Sequence, residues 1–296
     1  MTTAVRITAL AKLNLFLRVL AREQDGFHGL ETLFCLIDLG DELIARKQDA
    51  PGVTIEVTGA DTGPEADNLA LRAAAAVLHA TGRPFGVHLT LTKQIPVSAG
   101  LGGGSSDAAA ALTAVNRLVA SAIPRHELLQ LAFKLGSDVP FLVSGAPLAL
   151  GWGHGERMMR LPPLPAAPAL LLTPPTPIRT ADAYGWVAEA RRDSGRRGAV
   201  ALDLEALSSW GSIGRLAGND FESVVFGRHP AIRAAFEALA NTHPLVCRMS
   251  GSGSTLFAIY RNERDRDDAA ATLGKKHGVT RPVMTRAVAA EGPIDL

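Results

Sequence analysis

The sequence predicts an α+β fold in two domains. Three observations lead there. The chain has 296 residues, long enough for two ordinary domains with substantial cores. Helix-like and strand-like segments mix in both halves without a regular strand–helix–strand alternation, which favours antiparallel sheets. Prolines concentrate in LPPLPAAPALLLTPPTP, residues 161–177, and mark a crossing between halves. The expected division is therefore 1–160 and 161–296.

Residues 5–20, VRITALAKLNLFLRVL, are apolar and β-branched and read as a strand pair or one long bent strand. TLFCLIDLGDELIAR (32–46) and VTIEVTG (53–59) read the same way. DNLALRAAAAVLHATG is a helix that Asp67 or Asn68 can cap and Gly82 can end. VHLTLTKQIP (87–96) alternates as a strand does, and a helix follows from about Ser105 to Ala120. RHELLQLAFKLG is a second helix that closes at Gly136. Beyond the prolines, ALLLT opens the second domain. A helix from Thr180, an arginine-rich loop (RRDSGRR) and helices near 219–240 come next. Strands LVCRM and TLFAIY, a charged helix near 263–277 and a last strand, VTRPVMTRAV, complete the order. No repeat or low-complexity tail is visible.

Hydrophobic residues make up 47% and charged residues 20%, which fits a globular chain and not a disordered one. The net charge of +1 supplies no field for nucleic acid or an anionic membrane, so phosphate recognition must be local. Cys35 and Cys247 sit in apolar runs and read as buried thiols, which fits a reducing cytoplasm. Charges interrupt the apolar N-terminus, unlike a signal peptide. No run approaches the about 18 apolar residues of a bilayer span.

The stretch SAGLGGGSSDAAAAL, 98–112, carries the chemistry. Its four glycines and three serines run straight into an alanine-rich helix. A helix N-terminus leaves N–H groups unpaired and carries partial positive charge, so it attracts anions. Glycines before it let the backbone approach a ligand closely. This is a phosphate cradle. The P-loop pattern is absent because no lysine follows the last glycine, and the dinucleotide fingerprint fails because Ser105 fills its third slot. A nicotinamide-dependent dehydrogenase fits poorly for the same reason.

PVSAGLGGGSSDAAA, 96–110, resembles the central motif of the GHMP small-molecule kinases. AKLNLFL (11–17) resembles their first motif and RMSGSGST (248–255) their third, in the family's order. The resemblance covers nearly the whole chain. It implies an N-terminal ATP-binding domain like domain 2 of ribosomal protein S5, a ferredoxin-like C-terminal domain, and an active site in the cleft between them. It implies ATP and Mg²⁺, with no protein-held metal cluster. DGFH (25–28) and LGSDVPF (135–141) narrow it to the branch acting on cytidine diphosphate methylerythritol, in the non-mevalonate route to isoprenoids. A cytoplasmic monomer or homodimer is expected, without nucleic-acid or membrane partners. Another GHMP kinase, for homoserine or a sugar, is the alternative; a non-catalytic nucleotide-binding regulator is a further one.

By this resemblance Gly100, Leu101, Gly102, Gly103, Gly104, Ser105 and Ser106 wrap the ATP phosphates, with the two hydroxyls near phosphate or Mg²⁺. Asp107, in the first helical turn, is expected to complement the helix dipole, with metal binding as the alternative. From spacing alone Asp138 is a turn or cap aspartate; the resemblance makes it the general base. Lys12 could face solvent at a strand edge; the resemblance puts it beside Asp138, where it keeps the carboxylate ionised and offsets developing charge. Asn14 points to the same face two residues on and is expected to bind substrate, or else to be a satisfied strand residue. Phe27 and His28 match the cytosine-reading pair, one giving a face and one an edge. Phe27 stands where the family usually has tyrosine, so a hydroxyl is lost. Tyr184 matches the aromatic that closes the other side, or packs on its own domain. Asn68 and Lys93 match positions near adenine. Gly251, Ser252 and Gly253 belong to the third motif and approach the substrate. His154, in GWGHG, and the arginine-rich loop 191–197 match no family role, and the histidines show no metal-ligand spacing.

Overall fold

In this computed structural model, the described residues are 2–22, 28–82, 85–119, 122–155, 157–190 and 203–296, with backbone alone at 21, 22 and 28. Phe27 and the arginine-rich stretch lie outside them.

Two long antiparallel strands, β1 (Ala4–Arg22) and β2 (His28–Gln48), form the spine of the first sheet. β1 is one bent strand. Its register shifts at Leu10/Lys12, Asn14/Phe16 and Val19/Arg22. Bulges of this kind re-aim side chains, and Lys12 and Asn14 sit between two of them. The lower half of β2 pairs with β4 (Gly86–Thr92) and its upper half with β5 (Leu148–Gly153). β6 (Arg157–Arg160) extends β5, and β3 (Val53–Thr58) flanks β4.

The β3–β4 pair is parallel, so the sheet is mixed and not wholly antiparallel as expected. The cause is the crossover through α1 (Leu69–Thr81), which returns the chain in the same direction. Asn68 caps α1, its Oδ1 accepting from the Ala70 N–H, and Gly82 ends it in the left-handed conformation. α2 (Gly103–Leu118) lies against α1 and β1 through Ala108, Ala111, Ala114 and Val115, all buried. Small side chains on that face let the helix approach the sheet closely, which brings its N-terminus to the cleft. α3 (Arg125–Leu135) and the short α4 (Val139–Ser144) follow; α4 was not expected.

The second sheet has β7 (Pro168–Thr173), β8 (Val246–Met249), β9 (Leu256–Ile259) and β10 (Val279–Met284). Its order is β10–β7–β9–β8, with all neighbours antiparallel. With α5 (Thr180–Ala190) through α8 after β7, and α9 (Glu263–Leu273) after β9, this is the ferredoxin-like arrangement. The helices expected near 219–240 are two, α7 (Asp220–Arg228) and α8 (Pro230–Ala240), because Pro230 starts a new helix. α6 (Trp210–Leu216) precedes them.

The chain changes sheets between β6 and β7. The expected last strand is not the last: β11 (Ile294–Asp295) returns to pair with β1, and Arg117 grips Asp295 at 2.8 Å. The halves also share a core. Leu13, Leu15 and Phe16 from the first sheet cluster with Leu171, Phe257 and Ile259 from the second.

A polar joint ties them as well. The Leu17 N–H donates to the Gly218 carbonyl at 2.8 Å and the Val19 N–H to Asp220 Oδ2 at 3.0 Å. Between them, Asn219 Nδ2 donates to the carbonyls of Met249 and Gly251, each at 2.7 Å, while its Oδ1 caps α7 through the Phe221 N–H at 2.9 Å. Asn219 is buried, so truncation leaves two carbonyls and one N–H without protein partners. Asn219→Ala is expected to lower the unfolding free energy by about 2–4 kcal/mol, read from urea denaturation.

Candidate active site

A cleft of about 550 Å³ opens between the two halves. Its walls include Lys12 and Asn14 of β1, the glycine loop, Asp138, Tyr184 and residues 251–253.

The glycine loop turns into α2 at Gly102, in the left-handed region with φ 72°. A Cβ at Gly102 would also come within 3.0 Å of the Lys12 stem. The helix begins at Gly103, two residues earlier than expected, because glycine can occupy the first turn where a ligand must come close. The Ser106 N–H already bonds to the Gly102 carbonyl at 2.8 Å. The N–H groups of 103–105 therefore form the helix's positive end. Gly100, Gly102, Gly103, Gly104 and Ser105 line the cleft.

Two expected loop residues turn away from it. Ser106 is buried and donates its hydroxyl to the Leu10 carbonyl at 2.7 Å, so it anchors α2 to β1 instead of reaching phosphate. The Leu101 side chain lies in the shared core, and its carbonyl accepts from the Lys12 N–H at 3.0 Å.

The Lys12 ammonium donates hydrogen bonds to Asn14 Oδ1 at 2.5 Å and to the Gly100 carbonyl at 3.0 Å, and it forms an ion pair with Asp138 Oδ2 at 3.3 Å. It is thus buried beside the carboxylate and does not face solvent. Asp138 precedes α4, yet its side chain makes no cap hydrogen bond. Of the pair, Asp138 is the exposed member, at 24% against 4% for Lys12, so the carboxylate is the group an incoming molecule meets. Asn14 Nδ2 donates to Thr32 Oγ1 at 2.8 Å, and Thr32 in turn donates to the Phe16 carbonyl. One N–H of the Asn14 amide is left over for a ligand.

The third motif meets the glycine loop at its backbone carbonyls. Ser250 Oγ donates to the Gly100 carbonyl at 2.9 Å, and the Thr255 N–H to the Ala99 carbonyl at 3.2 Å. A Cβ on Gly100, whose φ is 78°, would stand 2.1 Å from the Ser250 carbonyl oxygen. Gly251, Ser252 and Gly253 line the cleft from this side, and the hydroxyls of Ser252 and Thr180 are 3.0 Å apart.

Tyr184 meets both readings. Its ring packs edge-on against Phe221, centroids 4.9 Å apart, and it also lines the cleft. Burial and the nearby Asp138 charge push its hydroxyl upward. Asn68 caps α1 and faces the cleft at once. His28 opens β2 in backbone.

The residues match known proteins over most of their length. The profile of the GHMP kinases N-terminal domain matches residues 68–146, and that of the GHMP kinases C-terminal domain matches 203–280. The chain belongs to the GHMP kinase family. A 4-diphosphocytidyl-2-C-methyl-D-erythritol kinase of Solibacter usitatus is 40% identical over 284 residues, covering 93% of this chain and 87% of that one. A protein of the same name from Citrifermentans bemidjiense is 36% identical, covering 93% and 96%. A crystal structure of 4-(cytidine 5′-diphospho)-2C-methyl-D-erythritol kinase superposes with a TM-score of 0.77 at 34% identity, covering 95% of this chain and 98% of that one. A homoserine kinase from Cytophaga hutchinsonii shares the fold, with a TM-score of 0.72 at 21% identity and coverage of 99% and 98%.

In this GHMP kinase the sequence reading missed a buried triad. Lys93 lines the cleft, but its ammonium is held by Asp41 and by Asp107 at 2.6 Å. Asp41 also accepts from the N–H groups of Gln94 and Ile95, at 2.5 and 2.8 Å. The triad therefore braces the segment leading into the glycine loop. Asp107 is corrected from a dipole-complementing residue to a buried partner of Lys93. Burial raises its carboxyl, Lys93 lowers it and Asp41 raises it again. Asp41, one of the three carboxylates at 38–42 of an otherwise apolar stretch, was the available signal. Asn219 had none, since its partners are about 30 residues away in sequence. Neither thiol is disulfide-bonded; Cys35 is buried and Cys247 half-buried, and burial pushes both up to about 12. Among the described residues no helix is long and apolar enough to cross a membrane.

Glu222 supports the third motif from behind. Its Oε1 accepts from the Met249 N–H at 2.9 Å. Burial pushes its carboxyl up to about 7, against the opposing pull of that hydrogen bond and of Arg248. The folded state then holds a proton that the unfolded chain releases near 4.5. This contribution to stability is complete below that value and is lost as pH rises through about 7. Glu222→Gln keeps the shape without the ionisation. Its stability relative to the parent is expected to rise across that window, measured by denaturation at a series of pH values.

Proposed function

We propose that this chain transfers the γ-phosphoryl group of ATP to the 2-hydroxyl of 4-diphosphocytidyl-2-C-methyl-D-erythritol, giving the 2-phosphate and ADP in non-mevalonate isoprenoid precursor synthesis. The observation that carries the reading is the Lys12–Asp138 pair, 3.3 Å apart at the mouth of the glycine loop. Relatives named for that reaction, matching nearly end to end, supply the acceptor.

The triphosphate lies along the N–H groups of 103–105 and the Ser105 hydroxyl. The acceptor hydroxyl sits between its γ-phosphorus and Asp138. Asp138 takes the hydroxyl proton as the oxygen bonds to phosphorus and the bond to ADP breaks. Lys12 holds Asp138 in place and offsets negative charge as it develops. Asn14 orients the acceptor. Tyr184, with Phe27 and His28, receives the cytosine, and Asn68 lies on the adenosine side. Lys93, which lines the cleft, lies on the adenosine side as well and braces the loop through Asp41 and Asp107.

The loop suits a phosphate-borne Mg²⁺. Ser105 lines the cleft, and Asp107 Oδ1 has no hydrogen-bond partner among the described residues. They hold no cluster of three metal-ligating side chains, so the nucleotide would supply most ligands, with Ser105 and Asp107 as the protein's contribution. When bound, Mg²⁺ neutralises charge on the phosphate oxygens. A cytoplasmic location follows from the same reading.

The test is ADP release with Mg²⁺ and the cytidine acceptor, against homoserine, galactose and mevalonate. Turnover with the cytidine compound alone supports the proposal; turnover only with another acceptor overturns it. Asp138→Asn is expected to retain ATP binding, by calorimetry, while kcat falls by about 100-fold or more. Near-normal turnover would remove Asp138 as the base.

A further inference from the structure

The charged residues on the cleft wall, among those described, are Lys12, Lys93, Arg179, Asp67, Asp107 and Asp138. Their formal charges cancel. Two of the three cations are already committed, Lys12 to Asp138 and Lys93 to Asp41 and Asp107. Arg179 differs. Its side chain is exposed, and no carboxylate of the described residues pairs with it.

Its backbone is fixed. The Arg179 carbonyl accepts from the N–H groups of Asp182 and Ala183, at 3.0 and 3.2 Å, at the head of α5. The next residue, Thr180, touches Ser252 of the third motif. Tyr184 stands on the same helix as Thr180 and also lines the cleft, close enough to Asp138 to feel its charge. The cleft lining thus includes an aromatic ring, a guanidinium with no carboxylate partner among the described residues, and the Asp138 carboxylate. A neutral wall is a poor host for a second polyphosphate beside the ATP. A guanidinium binds phosphate oxygens through paired N–H donors.

We infer that Arg179 binds the diphosphate of the acceptor, making this wall a nucleoside-diphosphate subsite distinct from the triphosphate cradle. The inference rests on the proposed function, which supplies an acceptor with a diphosphate. Arg179 acts on binding and not on the chemical step. It also gives the protein a preference for cytidine diphosphate over the monophosphate.

The experiment is calorimetric titration with cytidine diphosphate and cytidine monophosphate, the ATP site filled by a non-hydrolysable analogue. The parent, Arg179→Ala and Arg179→Lys are compared, with steady-state kinetics beside them. Loss of one charge-assisted contact predicts about 10- to 100-fold weaker diphosphate binding in Arg179→Ala, and an acceptor KM raised to match. The kcat and the KM for ATP stay near parental, and Arg179→Lys recovers part of the loss. An unchanged affinity for cytidine diphosphate in Arg179→Ala, or an equal rise in the KM for ATP, overturns the inference alone. Failure of the parent to bind cytidine diphosphate overturns both the inference and the reading beneath it. The residue is exposed, so these substitutions leave the fold intact.

Discussion

The site depends on one buried ammonium. Lys12 reaches Asn14, the Gly100 carbonyl and Asp138 at once, and each contact belongs to a different part of the molecule. Asn14 belongs to its own strand, Gly100 to the phosphate loop, and Asp138 to the turn before α4. A lysine so buried is tolerable only when its charge is both paired and hydrogen-bonded. Two hydrogen bonds and the Asp138 carboxylate meet that need. In return the ammonium fixes where the loop and the carboxylate stand relative to β1.

The same economy of space governs the glycines. Gly100 lies where a Cβ would collide with the Ser250 carbonyl, and Gly251 where one would press on the Gly100 carbonyl at 3.1 Å. The two loops can touch this closely only because Gly100 and Gly251 carry no side chains there. This makes the active site a property of both halves together. The Asn219 joint holds the second loop's carbonyls to α7 while its neighbours hold β1. The Lys93 triad secures the approach to the first loop. Asn219, Lys93 and Asp41 lie outside the three motifs, yet they set the geometry that the motifs use.

What was legible in the sequence was local or carried by motif. α1 shows its cap at Asn68 and its stop at Gly82 because both signals act within a few residues. Lys12, Asn14 and Asp138 came from the motifs, and the structure brings them to one cleft. What was hidden is long-range. The parallel pairing of β3 with β4 depends on a crossover path, and β11 is a two-residue strand whose partner lies at the opposite end of the chain. Ser106 looked like a phosphate ligand because composition cannot say which of two adjacent serines faces the cleft; helix geometry turns Ser105 toward it and Ser106 toward Leu10. Asp107 looked like a first-turn carboxylate serving the dipole because its true partners, Lys93 and Asp41, come from two other segments.

The central claim is that the Lys12–Asp138 pair and the glycine loop together define where phosphoryl transfer occurs. A crystal structure of the ternary complex, with a non-hydrolysable ATP analogue and the cytidine acceptor, tests it most directly. The acceptor hydroxyl should lie within hydrogen-bond reach of Asp138, about 3 Å, with the γ-phosphate against the N–H groups of 103–105 and in line with it. An acceptor hydroxyl far from Asp138, or phosphates bound away from the α2 N-terminus, would contradict the account.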